Sequence, residues 1–203
     1  ILFRCRVLWS SANSVMLNDG GQRFLESAFP LGVEPRARGA RVKPWFELDA
    51  DGIDRDHPIC QGRRGKIIVW SALGSRSSVL FDLDDDGDLD IVTNDFNSRP
   101  QVLISDLAQK HSGINYLKVQ LKGTASNRDA LGAVVVIETQ TETIRQANDG
   151  KSGYLSQSSL PLYFGLGAST EVKSIEVQWP TGITQRLAGP VAAKQTVLIT
   201  EVT

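Results

Sequence analysis

The sequence predicts an all-β chain in two parts, the blades of a partial β-propeller over residues 1–110 and an antiparallel β-sandwich over residues 111–203. Three observations carry this reading. Short apolar or β-branched runs recur along the chain, and none has the stripe of an amphipathic helix. A unit of strand, acidic turn and strand occurs twice at an interval of about 35 residues, the kind of period that marks an array of blades. Beyond residue 110, short alternating segments are separated by Gly, Asn, Asp or Pro, as in a sandwich.

The acidic turn that dominates the first part reads Asp82-Leu83-Asp84-Asp85-Asp86-Gly87-Asp88-Leu89-Asp90. Carboxylates at that density repel one another unless a cation gathers them. Asp82, Asp84 and Asp86 stand at positions 1, 3 and 5 of a calcium loop and Gly87 at the sharp turn of position 6. Asp88 can offer its carbonyl at position 7, and Asp90 falls at position 9. Hard oxygen donors in that number suit Ca2+ better than Mg2+, which keeps more of its own water. An EF-hand would need a bidentate Glu at position 12, where Thr93 stands, and its flanks would be helical. Here Ser78–Phe81 and Leu89–Thr93 are strand-like, so the loop joins two strands. The competing reading is a solvated acidic turn that binds nothing.

In chain order, Val15-Met16-Leu17 and Arg23-Phe24-Leu25 flank Asn18-Asp19-Gly20-Gly21 and predict a hairpin. Phe29 to Lys43 carries Pro30, Pro35, Arg36, Arg38 and Arg41 without periodicity, and reads as a long loop with solvated charges. Glu47, Asp49, Asp51 and Gly52 form a weaker copy of the calcium loop at positions 1, 3, 5 and 6. Arg55 replaces the carboxylate of position 9, and Asp54 or Asp56 would have to substitute. The alternative is a polar turn that keeps the loop's shape. Lys66–Trp70 is a strand leading toward the main loop.

A polar joint at Leu107–Gly113 separates the two parts. Tyr116–Lys122 then alternates, with Leu117, Val119 and Leu121 on one face and Lys118, Gln120 and Lys122 on the other. Further strands are expected at Ala133–Thr139, Glu142–Ala147, Pro161–Phe164, Val172–Trp179, Ile183–Leu187 and Thr196–Val202.

Lys and Arg number 22 against 23 Asp and Glu, which argues against a nucleic-acid or anionic-membrane partner. No apolar run approaches the roughly 18 residues of a membrane span. The first residues already resemble a strand, and the chain reads as the C-terminal part of a longer or processed polypeptide. Cys5 and Cys60 are either bridged in an oxidising compartment or two buried thiols. A calcium loop stays filled where calcium is abundant, which points to the outside of the cell or the periplasm.

Catalysis finds little support. His57 and His111 have no nucleophile at a readable spacing, and Gly150-Lys151-Ser152 and Gly165-Leu166-Gly167 lack the remaining glycines of nucleotide loops. Ser126-Asn127-Arg128-Asp129 reads as an Asx turn with Arg128 on a carboxylate, or as an exposed recognition loop. Trp179 either packs its indole on the core or joins Tyr154 in a sugar-stacking platform.

These residues also carry a resemblance. Asp82–Asp90 with Ile91-Val92-Thr93-Asn94 resembles the FG-GAP/VCBS repeat of integrin-type propellers. Ser126–Ala133, Gly153–Gln157, Tyr163–Gly167 and Val177–Gly182 resemble, in that order, the ASPIC/UnbV domain of the cartilage acidic protein-like family. The resemblance implies a secreted, calcium-binding propeller followed by a β-sandwich, used in adhesion or recognition and without enzymatic activity. It implies a protein or glycan ligand outside the cell. Two alternatives stand beside it. One is a structural subunit that self-associates through its incomplete propeller edge, and the other is a carbohydrate-binding accessory domain. Residues 115–202 are expected to fold alone, and calcium to act on residues 78–94 while leaving the second part unchanged.

Overall fold

The computed structural model describes residues 14–19, 22–27, 42–72, 74–96, 99–153 and 155–202. Among them the chain is all-β, with several antiparallel sheets and helix confined to two single turns. No described helix is long and apolar enough to cross a membrane. The chain forms two compact units from interleaved segments: Ile1–Arg76 with Thr93–Gln101, and Ser77–Val92 with Val102–Thr203. Compactness therefore groups the main acidic loop with the downstream strands, whereas sequence texture placed it with the upstream ones.

In the first unit, β1 (Met16–Asp19) pairs antiparallel with β2 (Arg23–Glu26), giving the expected hairpin. Its turn glycines, the loop Phe29–Arg41 and Cys5 lie outside the described residues. Antiparallel strands β3 (Val42–Asp49) and β4 (Lys66–Ala72) follow. Their register shifts between Pro44 and Phe46, next to a proline that has no N–H to give the ladder. The connection between them folds over a small core of Leu48, Ala50 and Cys60, with Ile67 and Val69 packed against it. Cys60 is a buried free thiol, and burial, then the Asp54 charge, pushes its pKa up. His57 accepts the Ile59 amide and caps the 3-10 turn Pro58–Cys60.

The acidic loop lies between β5 (Gly74–Phe81) and β6 (Asp90–Phe96), which form a sheet with β7 (Gln101–Leu103). The short helix α1 (Leu107–Lys110) occupies the joint read from the sequence. The second unit then continues through β8 (Tyr116–Lys122), β9 (Val134–Glu138), β10 (Thr143–Ala147), β11 (Leu162–Gly165), β12 (Glu171–Gln178), β13 (Thr184–Ala192) and β14 (Gln195–Thr200). These match the seven strands expected beyond residue 110. β13 runs past Leu187 because Pro190 sits on an edge strand, where a missing N–H is tolerated.

One sheet has the order β10-β9-β12-β13 and the other β11-β8-β14. Leu117, Val119, Leu121, Phe164 and Ile199 from the second sheet join Val135, Ile137, Val172, Ile175 and Val177 from the first in one buried cluster. Each such side chain stabilises the fold by roughly 1.5–3 kcal/mol relative to leaving it exposed. One pairing departs from the antiparallel expectation: β14 lies parallel to β8, Gln195 opposite Leu117 and Thr200 opposite Lys122. The long intervening chain makes the crossover that a parallel pair requires.

The outer face of β8 is the second departure. Alternation puts Lys118 on the face opposite Leu117, where a lysine is ordinarily solvated, yet it is only 9 % exposed. The acidic loop supplies its cover.

Candidate metal centre

The loop turns at Gly87, whose φ is +100° and whose missing Cβ leaves room for the ring of Tyr116; a methyl group there would overlap Tyr116 Cε1. That turn brings Asp82, Asp84 and Asp86 together, one carboxylate oxygen of each lying within 4.8 Å of the others. Among the described residues this is the group of three acids that could hold a metal ion.

Asp82 shows the chemistry of the site. Its Oδ2 accepts the Gly87 amide at 2.9 Å and the Lys118 ammonium at 2.8 Å, while the side chain as a whole is 1 % exposed. Its Oδ1 is buried without a hydrogen-bond partner. A buried carboxylate oxygen in that condition is costly unless a cation meets it. The Oδ1 of Asp88 is buried in the same condition. Asp86 accepts the Asp88 amide, which would lower its pKa, but burial and the charges of Asp88, Asp84 and Asp82 outweigh that bond and raise it. The group thus fits a hard divalent cation, with Asp82, Asp84 and Asp86 to hold it.

The other predicted ligands are placed differently. Asp90 uses both side-chain oxygens on main-chain amides, Oδ2 accepting Leu83 N–H and Oδ1 accepting Ser105 N–H, each at 2.8 Å. The Oδ2 of Asp88 accepts Ala108 N–H at 2.6 Å. These two side chains close the loop and fasten it to the segment after β7.

In the weaker loop, Glu47 pairs with Lys66 at 2.6 Å. Asp49 Oδ1 accepts the Asp51 amide, and Asp51 Oδ2 accepts the Gly65 amide. The structure does not gather Glu47, Asp49 and Asp51 as it gathers the trio of the main loop. Asp54 accepts the Asp49 amide, so it too braces the turn.

Four residues around the main loop escaped the sequence reading. Asp85, at the non-ligating position 4, pairs with Lys118 at 2.7 Å, and that bond holds its carboxyl below the usual range. Burial alone would pull Lys118 down, but hydrogen bonds to Asp82 and Asp85 prevail and raise its pKa. Tyr163 stacks on Tyr116 with ring centroids 5.6 Å apart and donates its hydroxyl to the Gly87 carbonyl at 2.7 Å. Burial, then the Asp82 charge, pushes Tyr163 up to about 12. Beside the loop, a groove of about 500 Å3 is lined by Val79, Leu80, Leu89, Asn148, Lys151 and Tyr163.

The other motifs resolve as braces. Asn127 clasps Leu131, its Oδ1 accepting Leu131 N–H at 2.7 Å and its Nδ2 donating to Leu131 O at 2.8 Å. Arg128 pairs with its neighbour Asp129, at 3.3 Å on the surface. Glu201, unforeseen from the sequence, closes the turn before them. Its Oε2 accepts the amides of Thr124, Ala125 and Ser126 at 2.7–2.9 Å and the Ser126 hydroxyl, and its Oε1 accepts the Thr181 hydroxyl. Trp179 is 3 % exposed and donates its indole N–H to Gln185, so it packs on the core and forms no sugar platform. Tyr154 lies outside the described residues.

With this geometry in place, residues 123–203 match the family model described as "ASPIC and UnbV", in keeping with the resemblance read from Ser126 to Gly182. The chain is also similar to cartilage acidic protein 1. It is 35% identical to the Mus musculus and Homo sapiens proteins over 105 residues, and 35% identical to the Xenopus tropicalis protein over 102. These matches cover about half of this chain (51% and 50%) but only 16% of each relative's own length.

Proposed function

We infer that the chain is a calcium-binding adhesion or recognition module, non-catalytic, that works outside the cell or in the periplasm on a protein or glycan ligand. In this reading the upstream strands are FG-GAP/VCBS-type propeller blades and the two downstream sheets a β-sandwich. The observation that carries it is the buried, unpartnered Oδ1 of Asp82 beside Asp84 and Asp86. Oxygen-only donors suit a hard divalent cation, the calcium-loop spacing of Asp82, Asp84 and Asp86 favours Ca2+ among these, and even a low-affinity calcium loop is filled where calcium is abundant. The similarity to cartilage acidic protein 1 supports the family context.

Calorimetric titration with Ca2+ tests it. The wild-type chain is expected to bind one ion at this loop and the Asp84→Ala, Asp86→Ala double variant to lose it; unchanged affinity would overturn the assignment.

A second reading, a subunit that completes itself with a neighbouring copy, is favoured by one observation. The β1–β2 hairpin leaves Met16 53 % and Phe24 65 % exposed. Light scattering separates the two, since a discrete monomer supports the module and a growing polymer the subunit.

A further inference from the structure

We propose that the cation of the acidic loop stabilises the downstream two-sheet body, with Lys118 as the positioning residue that couples the two. This rests on the cation-binding reading above and adds where the binding energy goes. The sequence alone suggested that calcium would act on residues 78–94 and leave the rest unchanged.

The loop segment Ser77–Val92 belongs to the same compact unit as Val102–Thr203. Four side chains tie the loop to other parts of that unit. Lys118 stands on β8, the middle strand of its sheet, and bridges Asp82 Oδ2 and Asp85 Oδ1 at 2.8 and 2.7 Å. Tyr163 on β11, the next strand, holds the Gly87 carbonyl, and Tyr116 on β8 stacks on it where the turn passes closest. Asp88 and Asp90 hold the amides of Ala108 and Ser105, just before β8.

Asp82 is common to both halves of the arrangement. One oxygen anchors β8 through Lys118, and the other is left for the ion. A cation on Oδ1 therefore fixes the carboxylate that Lys118 grips. Without it, Asp82, Asp84 and Asp86 repel one another, and the shift of Asp82 removes one arm of the bridge. Binding to the folded state alone then raises the stability of whatever unfolds together with the site.

The test uses the full 203-residue chain. Terbium luminescence sensitised by Tyr116 and Tyr163, displaced by Ca2+, reports occupancy, and hydrogen exchange with and without Ca2+ reports protection. At calcium a hundred times its Kd, amides of Tyr116–Lys122 and Leu162–Gly165 are expected to gain protection by up to about a hundredfold. Lys118→Met should still bind the ion and lose most of that gain. Tyr163→Phe, which removes only a hydroxyl, should lose part of it should Lys118→Met fail to fold. Ion binding with protection confined to residues 78–94 would overturn the coupling and leave the cation reading intact. Absence of both terbium and calcium binding would overturn both. An undiminished gain in the two variants would overturn the role of Lys118.

Discussion

At the scale of single residues, charge in this protein is placed where main-chain amides or a lysine can meet it. Glu201 is the clearest case. Burial would raise its pKa, but the Ser126 and Thr124 amides, with the Ser126 and Thr181 hydroxyls, outweigh burial and hold it at about 2. Its folded pKa lies below the ordinary value of 4.5, so its contribution is present in full above that pH and fades as pH falls toward about 2. Urea midpoints measured from pH 7 down to pH 2 should fall across that window in the wild type. Glu201→Gln should start lower at pH 7 and show a flatter profile; parallel profiles would count against the assignment. Asp90 works in the same way, each of its oxygens accepting a main-chain amide.

At the scale of elements, the loop and the strand beneath it were legible to different degrees. The ligand spacing of Asp82, Asp84 and Asp86 and the glycine after them are local features, and local pattern is what a sequence displays. The burial of Lys118 was not legible, because its cover comes from a segment more than thirty residues upstream (Asp82 and Asp85). Glu201 escaped for a related reason: its partners are mostly backbone amides, which every residue but proline carries. Gly87→Ala probes the contact between loop and strand. The left-handed backbone and the crowding by Tyr116 together should cost about 1–3 kcal/mol in urea denaturation and weaken calcium binding. A variant as stable as the wild type would show that the turn can relax away from β8. In the core itself, Phe164→Ala on β11, a fully buried ring, should cost about 3–5 kcal/mol.

At the scale of the whole molecule, the chain passes between its two units three times, at Arg76–Ser77, Val92–Thr93 and Gln101–Val102. The strands of the second unit could be read one by one from their alternation. Their grouping with an upstream loop could not, because it depends on contacts far apart in sequence. A fragment beginning at Asn115 keeps all seven downstream strands but leaves Lys118 without Asp82 and Asp85 and Tyr163 without the Gly87 carbonyl. A fragment beginning at Ser77 keeps them. Circular dichroism melts of the two in calcium should therefore show the longer fragment unfolding at the higher temperature. Equal midpoints would mean that the two sheets hold themselves together without the loop.

The parallel pairing of β14 with β8 sets the order in which this body can assemble as it is synthesised. Strands β9 and β10 meet across a tight turn braced by Thr139 and can pair as soon as both have emerged. Strand β8 emerges earlier than either, yet its neighbours β11 and β14 follow much later, and β14 comes last of all. Until then its apolar face, Leu117, Val119 and Leu121, has only a partial sheet around it. Closing a loop of that length carries a large entropic cost before any contact rewards it, and folds dominated by such pairings complete in milliseconds to seconds. The strand that carries Lys118 is thus among the first made and the last to be finished.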